Sequence, residues 1–423
     1  MEREFIIWKL FGKKIVSYKE LENGKVVGTG FLNPIVDRFR LIIMLIFQTK
    51  YFNKYNLGQW HGKRVTNTFA PPLGSRAMFR AIKNVIRVKI LRHARPIAMT
   101  FALTYKCPCQ CVHCSAGKHG KLNIPELSTK EAKRVIEESQ KLGVSIIAFT
   151  GGEPLLRHDI FELISHVNQK KAVPILFTNG LFLTQDNVNK LYDAGLYSIF
   201  VSIDSPIAEE HDKLRGIKGI FETAIEGIKR VKEKGMYVGL SSYATRSSTQ
   251  MGMYKKIHEL AKSLEVHNVI LFDGVPTGNM LKDTSEVLTT DQREEIYKFS
   301  SKLHKKKVVP PLSSQSWQTS IESYLAGVGC LAGHVQYYIS AYGEVTPCDF
   351  TPLSFGNIRD ESLKNIWKRM IHHPAYKHLI TSCRMQNQKF RHFYIDPIPD
   401  DAPLPYNINN LPAIDYRKEI IVP

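Results

Sequence analysis

The chain has 423 residues, 43% apolar and 23% charged, which excludes wholesale disorder and leaves room for two or three domains. Its longest apolar run, Leu41 to Phe47, is seven residues, far short of the ~20 that a membrane-spanning helix needs. Lysine and arginine number 58 against 39 aspartate and glutamate, a net charge of +19 that predicts attraction to something anionic.

The charge is concentrated at the start. The first hundred residues hold 19 Lys/Arg and 5 Asp/Glu, and no acidic residue occurs from Arg38 to Pro125. The opening MEREFIIWKLFGKK has early acids and no small-residue cleavage site, so no secretory signal is expected. KKIVSYKELENGKVVG reads as a hairpin with an Asn-Gly turn. FRLIIMLIFQTKYFNKY (39–55) is apolar with cationic and aromatic flanks. In residues 77–95, Met78, Ile82, Val85, Ile86 and Ile90 recur at helical spacing, with Arg76, Arg80, Lys83 and Arg87 on another face. This cationic amphipathic pattern suits an anionic bilayer surface, with core packing as the plain alternative and nucleic acid ranked third.

PIAMTFALTYK (96–106) is apolar and β-branched and predicts a strand running into CPCQCVHC, which carries four of the seven cysteines. The odd count and dense spacing argue for metal or cluster ligation in a reducing compartment rather than a disulfide framework. A closed zinc site is the alternative. Cys107, Cys111 and Cys114 form CxxxCxxC, and three thiolates on one loop can hold three irons of a 4Fe–4S cube, leaving one iron open. Cys109 is read as a non-ligand, and His113 and Tyr105 as residues packing around the loop.

Strand and helix patterns then alternate. Helices near 129–142, 160–170, 185–194, 223–234 and 253–264 separate strands at VSIIAFT, PILFTNG, SIFVSIDS, YVGLSSYAT and NVILFDGVP. Six repeats predict a parallel α/β sheet with right-handed crossovers, whose carboxyl ends build the active site. Those ends carry CPCQCVHC, TGGEP, TNG, SIDS and VPTG. LHKKKVVPPLSSQSWQ reads as a loop, and the tail from Tyr394 as extended, proline-rich and locally acidic, able to wrap the surface or cover the basic N-terminal region.

CxxxCxxC, GGEP, TNG and SIDS, each after successive strands over residues 97–280, resemble the radical S-adenosylmethionine superfamily. The resemblance implies a partial (β/α)6 TIM-like barrel over 96–300; the charge and helical spacing before it are read as a basic N-terminal helical region over 1–95. It implies that Cys107, Cys111 and Cys114 bind the cluster and that S-adenosylmethionine chelates the open iron. Gly151, Gly152 and Glu153 then meet the methionine amino group. Asn179, Ser202, Asp204 and Arg215 are further cofactor contacts.

CLAGHVQYYISAYGEVTPC (330–348) resembles the opening of a SPASM or Twitch auxiliary-cluster domain, with YYIS and VTPC as a hairpin and a helix from about Ser362. This implies a small α+β domain over 320–393, followed by a tail over 394–423. Only Cys383 follows, so one auxiliary cluster on Cys330, Cys348 and Cys383 is expected, completed by His392, Asp349 or substrate.

The expected activity is reductive cleavage of S-adenosylmethionine to a 5′-deoxyadenosyl radical, which abstracts hydrogen from a C–H bond of a peptide or a membrane-associated, lipid-like substrate. A flavodoxin or ferredoxin would supply electrons, in the cytoplasm or peripherally at the inner face of the membrane. The alternatives are a nucleic-acid-modifying enzyme of the same superfamily and a non-enzymatic iron–sulfur or zinc protein that binds nucleic acid.

Overall fold

The computed structural model describes residues 3–10, 13–20, 26–30, 55–89, 94–119, 124–315, 329–380 and 382–419. Arg3–Leu10 (β1), Lys13–Glu20 (β2) and Val26–Gly30 (β3) form an antiparallel sheet. The expected hairpin is therefore present as β2–β3, and the basic N-terminal region begins as strands rather than helices. The apolar segment 39–55 lies outside the described residues, apart from Tyr55.

The short hairpin Gln59–Trp60 (β4) with Lys63–Arg64 (β5) is followed by the helix Arg76–Lys89. That helix confirms the amphipathic pattern but not its use at a membrane. Ala77, Met78, Ala81, Ile82 and Val88 are buried. Arg80 donates to the carbonyls of Gln140 and Gly143, and Asn84 donates to those of Pro96 and Gly143. The helix is thus tied to the barrel at Pro96, Gln140 and Gly143, and most of its apolar stripe is buried.

The barrel strands are β6 (Ala98–Ala102), β7 (Ile146–Thr150), β8 (Val173–Thr178), β9 (Ser198–Ser202), β10 (Tyr237–Ala244) and β11 (Asn268–Asp273), each parallel to the next. They read as nearly continuous apolar runs because helices cover one face and an inner core fills the other. The intervening helices start where the sequence supplies caps. Ser128 and Glu131 close a capping box on Thr129–Leu142, and Thr184 caps Gln185–Asp193.

Alternation divides the strand residues between two cores. Ile147, Phe149, Leu176, Ile199 and Val201 face the helices. Ile146, Val173, Ile175 and Phe200 face inward, where Val65, Trp60 and Phe69 meet them. Phe69 stacks edge-on against Phe177 and Phe200, and Ser198 Oγ donates to the Thr68 carbonyl at 2.7 Å. Residues 57–69 therefore plug the amino end of the barrel, which leaves the carboxyl end for chemistry.

Two expectations about connections change. The segment read as a loop from Lys302 begins inside the helix Thr290–Lys306, and Leu312–Ser314 (β12) extends the sheet beside β11. On the other side, Gln336–Ile339 (β13) pairs parallel with β6, and Val345–Thr346 (β14) returns antiparallel, as the expected hairpin. The C-terminal part is thus built directly onto the barrel sheet. Among the described residues the proline-rich tail packs onto the C-terminal domain. Tyr406–Asn407 (β16) pairs with Leu353–Ser354 (β15), and Leu404, Ile408 and Tyr416 are buried beside Phe390 and Tyr394.

Candidate active site

The loop after β6 brings its cysteines to the carboxyl end of the barrel. Neighbouring strand ends hold this loop by backbone contacts. Gln110 N–H donates to the Arg215 carbonyl at 2.9 Å. Asn279, beyond β11, donates its backbone N–H to the Cys114 carbonyl and its Nδ2 to the Cys111 carbonyl, both at 3.0 Å. Gly278 is required there, because a Cβ would stand 2.0 Å from the Cys114 carbonyl oxygen.

Cys109 lies between Cys107 and Cys111, with its single S–H within hydrogen-bond reach of either. A hydrogen bond from it lowers the Cys107 thiol from its ordinary value. The same donor lowers Cys111 to about 6, with Arg215 and His113 adding to the effect. Burial pushes Cys114 up to about 11. Arg215 Nη1 reaches Cys111 Sγ at 3.8 Å, and Asn179 Nδ2 reaches Cys109 Sγ at 3.4 Å and Cys107 Sγ at 3.8 Å. The thiols therefore face hydrogen-bond donors, the environment that favours a thiolate.

Arg215, itself mostly buried, is fixed by an ion pair to the buried Asp204, Nη2 to Oδ2 at 2.7 Å. His113 Nε2 stands 3.3 Å from the same oxygen and stacks on Tyr243 at 5.1 Å. Burial would raise the Asp204 carboxyl, but Arg215 and His113 outweigh it and hold the group below its usual range. Ser202 Oγ lies 3.2 Å from Ser241 Oγ on the next strand.

The glycines of TGGEP serve the loop contact itself. A Cβ on Gly151 would stand 2.1 Å from the Thr104 carbonyl oxygen, and one on Gly152 would stand 2.4 Å from that of Lys106. Glu153 is fully buried and accepts from Leu155 N–H, Thr178 Oγ1 and Asn179 N–H at 2.9–3.0 Å. Burial lifts its carboxyl to about 7. These bonds commit most of the carboxylate to tying β7 to β8. The expected contact with a methionine amino group has at most one lone pair left to it.

The three remaining cysteines converge from distant segments. Cys330, Cys348 and Cys383 are buried and within electrostatic reach of one another. Cys348 Sγ is 3.2 Å from Thr351 Oγ1, and burial raises its thiol to about 12. Arg384 is buried beside them. Asp349, partly exposed, has its carboxyl raised to about 6 by burial. His392 is exposed. Of the two side chains expected to complete this group, only Asp349 adjoins a cysteine electrostatically among the described residues.

Tyr105 and His119 are further site residues. Tyr105 Oη bonds Tyr338 Oη at 2.9 Å and His119 Nδ1 at 3.1 Å, which joins the first cysteine loop to β13. Asn279, Tyr243 and Tyr338 were not anticipated from the sequence. Their only signal was position at or near a strand end.

Two family models match the chain: the radical SAM superfamily over residues 101–254, and an iron–sulfur cluster-binding (SPASM) domain over 330–393. The AdoMet-dependent heme synthase of Oleidesulfovibrio alaskensis is 30% identical over 289 residues, 64% of this chain and 74% of that one. The heme synthase of Methanosarcina barkeri is 33% identical over 290 residues, 64% of this chain and 82% of that one. The chain belongs to the radical SAM superfamily. Among solved structures, Streptococcus suis SuiB bound to its precursor peptide SuiA superposes with a TM-score of 0.55 at 15% identity, covering 78% of this chain and 76% of that one. Native anSMEcpe with bound AdoMet gives 0.50 at 18%, covering 66% and 80%. These two share the fold.

As a radical SAM protein with a SPASM domain, the chain is an enzyme that uses S-adenosylmethionine and iron–sulfur clusters. Its residues fit that role. Three cysteines share one loop, donors face their sulfurs, and Arg215 keeps a buried Nε without a partner. The non-enzymatic nucleic-acid-binding alternative is set aside by the family matches. Among the described residues no helix is long and apolar enough to cross a membrane.

Proposed function

We propose that Cys107, Cys111 and Cys114 hold the radical-generating cluster, that Cys330, Cys348 and Cys383 hold an auxiliary one, and that the enzyme takes hydrogen from a C–H bond of a bulky anionic substrate. The observation carrying this reading is the gathering of the CxxxCxxC thiols, Asn179 and the Asp204–Arg215 pair at one end of the barrel. When bound, the 4Fe–4S cluster and S-adenosylmethionine supply one-electron cleavage of the sulfonium C–S bond and hence a 5′-deoxyadenosyl radical. The protein's own part is positioning and exclusion. Asn279 fixes the cysteine loop through two carbonyls. Arg215 and Asn179 stabilise negative sulfur. Asp204 keeps Arg215 in place, with its remaining acceptor capacity available to a ribose hydroxyl, while the Ser202 hydroxyl is proposed to meet the ribose or the cofactor carboxylate. Gly151 and Gly152 allow the TGGEP backbone to lie against the cysteine loop, beside the place proposed for the methionine end.

The names of the relatives, heme synthases and an Fe-coproporphyrin III synthase from Methanosarcina barkeri, support a tetrapyrrole substrate. A second reading, a peptide or a lipid-like substrate at an anionic membrane surface, is favoured by the net +14 of the first hundred residues, which precede the family match at 101. A flavodoxin or ferredoxin is the proposed reductant. The test is anaerobic incubation of reduced enzyme with S-adenosylmethionine and, in separate arms, an iron porphyrin carrying propionates, a peptide, and anionic phospholipid vesicles. The expected result is 5′-deoxyadenosine together with a mass-shifted product in one arm. Enzyme that holds its full iron but never releases 5′-deoxyadenosine would overturn the proposal.

A further inference from the structure

Arg384 is the largest fully buried side chain of the described residues, at 1% exposure. Its Nε donates to the Ala375 carbonyl at 3.0 Å and its Nη2 to the His378 carbonyl at 2.7 Å. The guanidinium lies 4.7 Å from the centroid of the Tyr376 ring. Its Nη1 is buried without a hydrogen-bond partner, and no carboxylate pairs with Arg384 among the described residues.

A guanidinium cannot shed its proton to escape burial. Taking such a charge out of water costs several kcal/mol unless an anion faces it. Two carbonyls and one aromatic face are weak compensation. Arg384 directly follows Cys383 in the chain, and Cys330, grouped with Cys348 and Cys383, lies within electrostatic and hydrogen-bonding reach of the guanidinium. The other buried arginine at a cysteine site, Arg215, is neutralised by Asp204 at 2.7 Å. Arg384 is the one that has no carboxylate partner among the described residues.

We propose that Arg384 is a positioning residue for the auxiliary cluster, its uncompensated guanidinium set beside Cys330 so that the cluster's more negative, reduced state is stabilised. The inference rests on the reading that Cys330, Cys348 and Cys383 hold a cluster. Reduction adds one electron to that centre, and a fixed neighbouring cation favours the added charge. Removing the cation therefore moves the midpoint potential to more negative values, whereas a residue that merely ties carbonyls together would leave it in place.

The experiment uses the full-length chain with Cys107, Cys111 and Cys114 all changed to Ala, so that only the auxiliary centre is seen, reconstituted anaerobically and titrated potentiometrically by electron paramagnetic resonance. Arg384→Gln should lower the ratio of reduced to oxidised cluster about tenfold at the parent's midpoint, ~59 mV for a one-electron couple. Arg384→Lys should shift it less. An Arg384→Gln protein with bound iron and an unmoved midpoint overturns the inference. Should that variant not fold, the parent itself, grown with 15N-arginine, carries the test. A 15N coupling in the electron spin echo of the reduced cluster supports the placement, and its absence overturns it. A parent that binds no iron overturns the cluster reading and this inference with it; iron bound but indifferent to Arg384 overturns the inference alone.

Discussion

The two cysteine sites of this radical SAM enzyme are built in opposite ways. At the barrel mouth, four thiols sit within eight residues of one loop, Cys107 is exposed, and the local cation Arg215 is neutralised by Asp204. In the C-terminal domain, three thiols arrive from segments 18 and 35 residues apart (330 to 348, 348 to 383), all are buried, and Arg384 has no acidic partner among the described residues. A site for an exchanging cofactor needs access and a charge-balanced wall. A site that only holds a cluster can be closed and can keep a net field. The difference teaches that spacing in sequence marks the first kind, while the second is assembled by packing.

The largest effect should separate the sites outright. Replacing Cys107, Cys111 or Cys114 by Ala should reduce 5′-deoxyadenosine release to background while the C-terminal iron stays bound; release retained by any of the three would break the assignment of the open site. Next, Asp204→Asn strands Arg215 as a buried, unpaired cation. A loss of about 3–5 kcal/mol in urea unfolding is expected, and a loss under ~1 kcal/mol would show that the pair does not secure the wall. Cys348→Ala should lower iron by about one cluster's worth and still permit uncoupled cofactor cleavage; iron content equal to the parent's would remove the auxiliary site from the comparison.

Smaller effects sharpen it. Cys109 offers one S–H to its neighbours Cys107 and Cys111 rather than being a proposed ligand, so Cys109→Ala should slow cleavage by no more than about tenfold, the value of a single hydrogen bond. Abolished cleavage would make it a ligand. The smallest effect concerns the join between the two regions. Arg359, from the C-terminal domain, bonds Glu131 at the first turn of the helix Thr129–Leu142, Nε to Oε1 at 2.6 Å. The hydrogen bond from Arg359 holds the Glu131 carboxyl down near about 2. A depressed acid stabilises the fold above its ordinary value and loses that contribution as pH falls through the depressed one. Arg359→Ala should therefore cost at most ~1 kcal/mol at neutral pH, since both groups are about a quarter exposed. The ionic part of that cost should shrink as pH falls through about 2; a pH-independent loss would mean that Arg359 acts only through its bonds to the Pro125 and Glu126 carbonyls and its packing.

Much of the barrel was legible because its signals are local. VSIIAFT and SIFVSIDS are strands in any context that buries both faces, and Ser128 with Glu131 starts a helix by its own hydrogen bonds. The cysteine loop was legible for the same reason. The roles inside it were less so. Glu153 is expected as a cofactor contact, and the sequence does not show that its carboxylate also accepts from Thr178 and Asn179, residues 25 and 26 positions away. The cationic helix reads in sequence as either a membrane-facing or a core-packing element, because the carbonyls that Arg80 and Asn84 bond, those of Gln140 and Gly143, are about sixty residues downstream. The stretch after Lys302 looked like a linker because prolines and serines say nothing of a neighbouring strand edge, and β12 forms only where β11 offers one.

By itself the amino-acid order determined that strands and helices alternate, that three thiols share a loop, and that the first hundred residues are strongly basic. Those follow from periodicity, spacing and charge, which need no distant partner. Tertiary structure alone decided that residues 57–69 seal the barrel, that the tail belongs to the C-terminal core, and that one arginine is paired and the other is not. Such outcomes depend on which side chains exclude water from which others, and that is settled only when segments far apart in the chain come into contact.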